Sequence, residues 1–230
     1  MKSVKQNIIN EVEIFVKQKL NDDSTGHDWW HIKRVRDLAV EIGKIEGADL
    51  FIVELASLLH DVDDYKLTGL KNHTEPSQAR TFLEKLKVDP KIIKEVCEII
   101  KRISFKGNDV KTNMPSLEGR VVQDADRLDA MGAIGIARTF AYGGAKGRKI
   151  FDPKIKPQAY KSFKSYQANS SPTINHFYEK LLLLKDLMNT DTARKIAARR
   201  HKILKNFLNE FYDEWEGKDL KSNRKTAKQI

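Results

Sequence analysis

The chain has 230 residues, 40% of them hydrophobic, with 12 glycines, 6 prolines and a single cysteine, Cys97. That is enough for one compact domain with a real core, and it excludes a fibrous or largely disordered protein, an intrachain disulfide and a four-cysteine zinc site. The formal charge is +10, from 42 Lys and Arg against 32 Asp and Glu; so basic a chain attracts phosphate, but net charge alone identifies no partner.

The opening stretch MKSVKQNIINEVEIFV interrupts its apolar residues with acids and bases, unlike a secretory signal. No apolar run approaches the ~18 residues of a bilayer span. The expected location is a reducing cytoplasm, with no membrane partner.

Apolar residues recur at spacings of three and four, which predicts helices. Ile8, Val12, Phe15 and Val16 mark a first helix, and Val35, Leu38, Ile42 and Ile45 a second, with Asp28 or Ser24 as its cap. Ile52, Leu55, Ala56 and Leu59 mark a third, running up to His60. Phe82, Leu83 and Leu86 mark a fourth, ending near Asp89-Pro90, and Ile92, Val96, Ile99 and Ile100 a fifth. Ile196, Ile203, Leu204, Phe207, Phe211 and Trp215 belong to a long last helix whose other face carries Arg199, Lys202 and Lys205. With no strand pattern and no repeat, the expected class is all-α.

From Ala141 to Thr173 the composition shifts to Gly143, Gly144, Gly147, Pro153, Pro157 and Pro172 among lysines and Arg148. Breakers at this density predict a long basic loop or irregular insertion over 141–173, able to act as a lid. The expectation is a single helical domain over 1–216 followed by a basic, solvated tail over 217–230.

The residues that could carry chemistry are histidines and aspartates. His-Asp occurs twice, at His27-Asp28 and His60-Asp61, and only the second pair ends an apolar helix that drives it towards the core. His31 precedes Val35 by four and Leu38 by seven, so it shares the buried stripe of its helix. A lone core histidine bonded to a carbonyl or carboxylate explains such a residue equally well. Asp124, Asp126 and Asp129 cluster in a third segment, where burial is costly without cations; Asp126 and Asp129 share a face, and Asp124 points elsewhere. Local ion pairs with Arg120 and Arg127 are the alternative there.

Taken in order, His31, His60-Asp61 and Asp126, spaced H-x28-HD-x64-D, resemble the HD-domain phosphohydrolase superfamily. Gly26 to His31, Ile103 to Gly107, Gln123 to Ala130 and Asn175 to Lys180 look like a bacterial branch with members that are nucleotide pyrophosphohydrolases, and the likeness spans roughly residues 20–216. It implies an HD-type helical bundle in which His31, His60, Asp61 and Asp126 hold a divalent metal. A mixed nitrogen and oxygen donor set suits Mn²⁺, Fe²⁺, Co²⁺, Ni²⁺ or Zn²⁺ better than an all-oxygen Mg²⁺ site; the expected ion is Mn²⁺, with the others, Mg²⁺ included, as alternatives.

The resemblance also implies a proton carrier three residues after Asp61. Asp64 stands there, where the family often has Glu, and neighbouring Asp63 is the other candidate. Phosphate requires cations, for which Arg34, Lys106 and Arg127 are candidates, while His27 could orient substrate or a ligand by a hydrogen bond. Trp29, Trp30 and Tyr142 read more readily as core than as a base-stacking platform.

The expected activity is hydrolysis of a phosphorylated small molecule, most specifically a nucleoside triphosphate with release of pyrophosphate. A nucleotide phosphatase or phosphodiesterase of the same superfamily, or a basic nucleic-acid-binding helical module, is the alternative. Residues 194–230 hold 11 Lys and Arg against 5 Asp and Glu, so most of the positive excess lies away from the motifs and a nucleic-acid partner is not expected.

Overall fold

The computed structural model describes residues 2–20, 28–63, 75–103, 113–158 and 171–220. Every regular element among them is helical: α1 (Lys2–Lys19), α2 (Trp29–Glu46), α3 (Leu50–Leu59), α4 (Ser77–Lys85), α5 (Pro90–Ile103), α6 (Leu117–Asp129), α7 (Gly132–Ala145), a π-helical turn (Phe177–Leu181), a 3₁₀ turn (Leu184–Leu187) and α8 (Asp191–Trp215). The class is all-α, as the periodicity predicts. No described helix is long and apolar enough to cross a membrane.

α3 is the hub. Its residues Phe51, Ile52, Val53, Leu55, Ala56, Leu58 and Leu59 are all buried, as a helix apolar on every side requires. α1, α2, α5 and α6 pack around it. Each large side chain buried this way contributes about 1.5–3 kcal/mol of hydrophobic stabilisation. α2 begins at Asp28, whose carboxylate accepts the His31 N–H at 2.8 Å, and ends at Gly47, whose left-handed φ of 79° suits glycine.

α6 is fastened to the start of α8. The fully buried Asp124 carboxylate accepts the backbone N–H of Asn189 and of Thr190 and the Thr190 hydroxyl at 2.8–3.1 Å. Thr190 in turn caps α8 by accepting the Ala193 N–H. This accounts for Asp124 lying off the face of Asp126 and Asp129. Phe177 of the π-helical turn stacks on Phe207 of α8 at 5.4 Å, and Phe140 of α7 packs edge-on to Phe207 at 5.8 Å.

Three boundaries differ from the sequence reading. α4 ends at Lys85, not near Asp89-Pro90, because Lys87 turns left-handed at φ 54°. α6 and α7 are full helices that the apolar spacing alone does not mark. α7 also continues through Gly143 and Gly144 to Ala145, so the irregular stretch begins after it. Gly143 is a packing glycine here: a Cβ on it would stand 2.3 Å from Thr173 Oγ1.

The described part of the stretch, 146–158, is tied down. The N–H groups of Thr173 and Ile174 donate to the Lys149 and Ile150 carbonyls at 2.9 and 3.0 Å, and Asn175 Nδ2 donates to the Ile155 carbonyl at 3.0 Å. Buried Glu179 accepts from the Gln158 N–H and the Ser171 hydroxyl, so one carboxylate holds both residues. Positions 221–230 of the expected tail lie outside the described residues.

Candidate metal centre

Three helices deliver the ligand set. α2 places His31 on its buried face, the C-terminal end of α3 places His60 and then Asp61, and α6 places Asp126. One ligand atom each from His31, His60 and Asp126 falls within 4.8 Å of the others. His31 Nε2 is 3.2 Å from His60 Nε2, 3.3 Å from Asp61 Oδ2 and 3.6 Å from Asp126 Oδ1. His60 Nε2 is 3.5 Å from Asp61 Oδ1 and 3.9 Å from Asp126 Oδ1. Donors bound ~2.1 Å from one ion stand roughly 3 Å apart at right angles and about 4.2 Å apart when opposite, so the separations among His31, His60 and Asp126 fit a single cation, with Asp61 beside them offering a different oxygen to each imidazole.

The tautomers fit as well. His60 Nδ1 lies 2.7 Å from the Ser57 carbonyl, which can only accept, so Nδ1 carries the proton and Nε2 turns a lone pair towards the centre. His31 Nδ1 lies 2.8 Å from Asp129 Oδ2, with the same consequence. Two lone pairs and two carboxylates thus face one another, and a cation resolves that clustering of acceptors. His31 and His60 are 1% and 4% exposed, while the Asp126 side chain is 31% exposed, so the centre opens on the Asp126 side.

Asp129 is the residue that sequence reasoning left out of the site. It is 1% exposed and accepts from His31, from Arg34 Nε and Nη2 at 2.7 and 3.1 Å, and from Arg138 Nη1 at 3.0 Å. Burial works against its charge, but the hydrogen bonds from His31 and Arg34 and the charge of Arg138 hold its carboxyl well below the usual carboxylate range. For His31, burial and Arg138 oppose protonation; the hydrogen bonds to Asp129 and Asp61 prevail and lift its pKa above the ordinary histidine value.

Of the other expected site residues, Arg34 stands beside the centre, bonded to Asp129 with its side chain 35% exposed. Arg127 does not match the expected phosphate contact. It is 7% exposed and its Nη1 donates to the Leu187 carbonyl, because neighbours on a helix diverge by roughly 100° and Asp126 takes the face towards the centre. Asp63, the alternative proton carrier, is 7% exposed and caps α4 by accepting the Gln78 and Ala79 N–H groups at 3.1 Å. Asp64, Lys106 and His27 lie outside the described residues. Trp30 is exposed, and Trp29 is half-buried under the Lys17 ammonium, 4.5 Å from its ring.

An HD domain matches residues 29–131, a span that contains His31, His60, Asp61 and Asp126. The chain belongs to the HD superfamily of hydrolases. It is 40% identical to the uncharacterized protein YpgQ of Bacillus subtilis over 97% of this chain and 100% of that one. A crystal structure from Lactobacillus plantarum superposes with a TM-score of 0.81 at 40% identity, covering 91% of this chain and 97% of the other. An HD-superfamily hydrolase from Bacillus thuringiensis gives a TM-score of 0.70 at 45% identity, covering 92% and 98%. YpgQ crystallised in complex with ADP gives 0.70 at 38% identity, covering 90% and 97%.

Proposed function

We propose that the protein is a metal-dependent phosphohydrolase acting on nucleotides, most specifically a nucleoside triphosphate pyrophosphohydrolase that releases pyrophosphate. The observation that carries this reading is the convergence of His31 Nε2, His60 Nε2, Asp61 and Asp126 beside an arginine-gripped Asp129. The ADP seated in YpgQ supports a nucleotide as the ligand class. A divalent ion, Mn²⁺ foremost, supplies Lewis-acid chemistry when bound, polarising a phosphoryl oxygen and making water more acidic.

The chain's own residues do the rest. Asp61 and Asp126 offset the charge of a divalent ion, while Arg34 and Arg138 together exceed Asp129 by one positive charge. That surplus favours an anionic group at the open side, and Arg34 is the anchor assigned to a phosphate. Lys106 is assigned to a second phosphate contact and His27 to orienting the substrate. Asp64, three residues beyond Asp61, is assigned to carrying the proton of the attacking water.

A panel of nucleoside mono-, di- and triphosphates assayed with Mn²⁺, reading phosphate and pyrophosphate separately, tests the proposal. Pyrophosphate and a monophosphate from a triphosphate are expected. Phosphate alone would make the enzyme a phosphatase, and neither product from any nucleotide would overturn the nucleotide reading. Asp64→Asn is expected to retain Mn²⁺ and to slow turnover by about 10²-fold or more; unchanged turnover would remove Asp64 from the proton path.

A further inference from the structure

We propose that Arg138 is a positioning residue of the metal centre, acting through Asp129 to fix the imidazole of His31. The inference rests on the quartet being a metal centre, not on which phosphorylated molecule is hydrolysed.

Three helices meet at one carboxylate. From α2, Arg34 donates through Nε and Nη2 to the two oxygens of Asp129; from α7, Arg138 donates through Nη1 to Oδ2; and His31 Nδ1 donates to that same Oδ2 at 2.8 Å. Asp129 closes α6 and is almost wholly buried. A buried carboxylate held by one partner can rotate about its last side-chain bond, carrying its hydrogen-bond direction with it. Held by guanidinium groups from two sides, it cannot. The Nδ1–H of His31 then has one acceptor direction, and Nε2, across the ring, points at His60, Asp61 and Asp126.

A freed His31 ring can turn over, replacing Nε2 by a ring carbon and removing a ligand. In this scheme Arg138 acts on His31 through Asp129, to which its Nη1 donates at 3.0 Å. Its contribution is the orientation of Asp129. Groups that orient a metal-bound imidazole are typically worth 10–100-fold in metal affinity.

Its sequence position gives no hint of this role. Arg138 lies in the middle of α7, beyond the corner at Gly132, where φ is 70° and a Cβ would stand 3.1 Å from Arg200 Cγ. That tight corner turns α7 back so that its residue 138 reaches the last residue of α6.

The test is titration of Mn²⁺ into the full chain without nucleotide, so that a wrong substrate assignment leaves the readout unaffected. Arg138→Gln is expected to weaken Mn²⁺ about 10-fold and Asp129→Asn by about 10–100-fold, with thermal unfolding close to wild type for the former. Arg138→Lys is expected to recover part of the loss, because an ammonium restores one donor and the charge. In the metal-free protein at alkaline pH, long-range ¹H–¹⁵N spectra should show His31 as the Nδ1–H tautomer in wild type and a mixture in Arg138→Gln. Wild-type Mn²⁺ affinity together with an unchanged His31 tautomer in Arg138→Gln overturns the proposal. Should that variant fail to fold, wild-type affinity in both Arg138→Lys and Asp129→Asn overturns it equally. A wild-type chain that binds no Mn²⁺ overturns the metal-centre reading and this inference together.

Discussion

Two regions bury charge in this molecule, and they do so differently. At the junction of α2, α3 and α6, His31, His60, Asp61 and Asp126 come together, the two imidazole Nε2 atoms lying 3.2 Å apart and 3.3–3.9 Å from oxygens of Asp61 and Asp126. At the junction of α6, the 177–187 turns and α8, the acids are spent on the fold: Asp124 accepts from Asn189 and Thr190, and Glu179 from Gln158 and Ser171. Arg127 likewise donates to the Leu187 carbonyl. Burial is nearly complete in both places except at Asp126, whose side chain is 31% exposed; what separates them is that the first set converges on a shared point while the second bonds backbone and hydroxyl donors that fasten the helices. The first arrangement can hold a cation, whereas the second is spent on the fold.

The sharpest way to break this contrast is to remove the ligands. His31→Ala, His60→Ala, Asp61→Ala and Asp126→Ala are each expected to lower Mn²⁺-dependent turnover by about 10³-fold or more, since a metal ion supplies several kcal/mol of charge stabilisation. Helix content by circular dichroism should hold. A variant with full activity would strike its residue from the centre.

Next in size is Asp124→Ala, which strands two buried backbone N–H groups and a hydroxyl at the start of α8. A loss of about 3–5 kcal/mol in denaturant unfolding is expected, with Mn²⁺ affinity of the folded protein near wild type. A selective loss of metal affinity without loss of stability would reverse the division between the two regions.

A smaller effect is expected from Glu179→Gln, which keeps an acceptor but replaces the charged partner of Gln158 and Ser171. About 1–2 kcal/mol should be lost, and faster proteolysis within 146–158 should accompany it. Unchanged stability and cleavage would remove Glu179 as the tie.

The mildest probe is pH. The pKa of His31 is raised above the ordinary histidine value, and a proton competes with the metal for its ring. Mn²⁺ affinity should therefore be full at alkaline pH and fall as pH drops through that raised pKa, starting higher than an unperturbed histidine of pKa ~6.5 would dictate. For the metal-free protein the sign reverses: the protonated ring is favoured in the fold, so its contribution to stability is present at low pH and lost as pH rises through the folded-state pKa. An Mn²⁺ affinity independent of pH across this range would contradict the ligand role of His31.

Much of what brings the candidate ligands His31, His60 and Asp126 together was legible in the sequence. The four- and seven-residue spacing from His31 to Val35 and Leu38 put His31 on a buried face, and the apolar run through Leu59 carried His60-Asp61 inward. The grip on His31 was not legible, because Arg138 approaches Asp129 from another helix around the Gly132 corner and no local spacing encodes that meeting. Arg127 misled because adjacency to Asp126 in sequence is divergence on a helix. Gly143 misled because a glycine that admits the Thr173 side chain looks, in one dimension, like a helix breaker.

The division between the two junctions is the central claim: that of α2, α3 and α6 is proposed to bind a metal ion, and that with α8 to be structural. Calorimetric titration of Mn²⁺ into the wild-type chain, Asp126→Ala and Asp124→Asn side by side tests it most directly. One ion per chain for wild type and Asp124→Asn, and none for Asp126→Ala, is the predicted result; equal binding by wild type and Asp126→Ala, or no binding by any of the three, would contradict it.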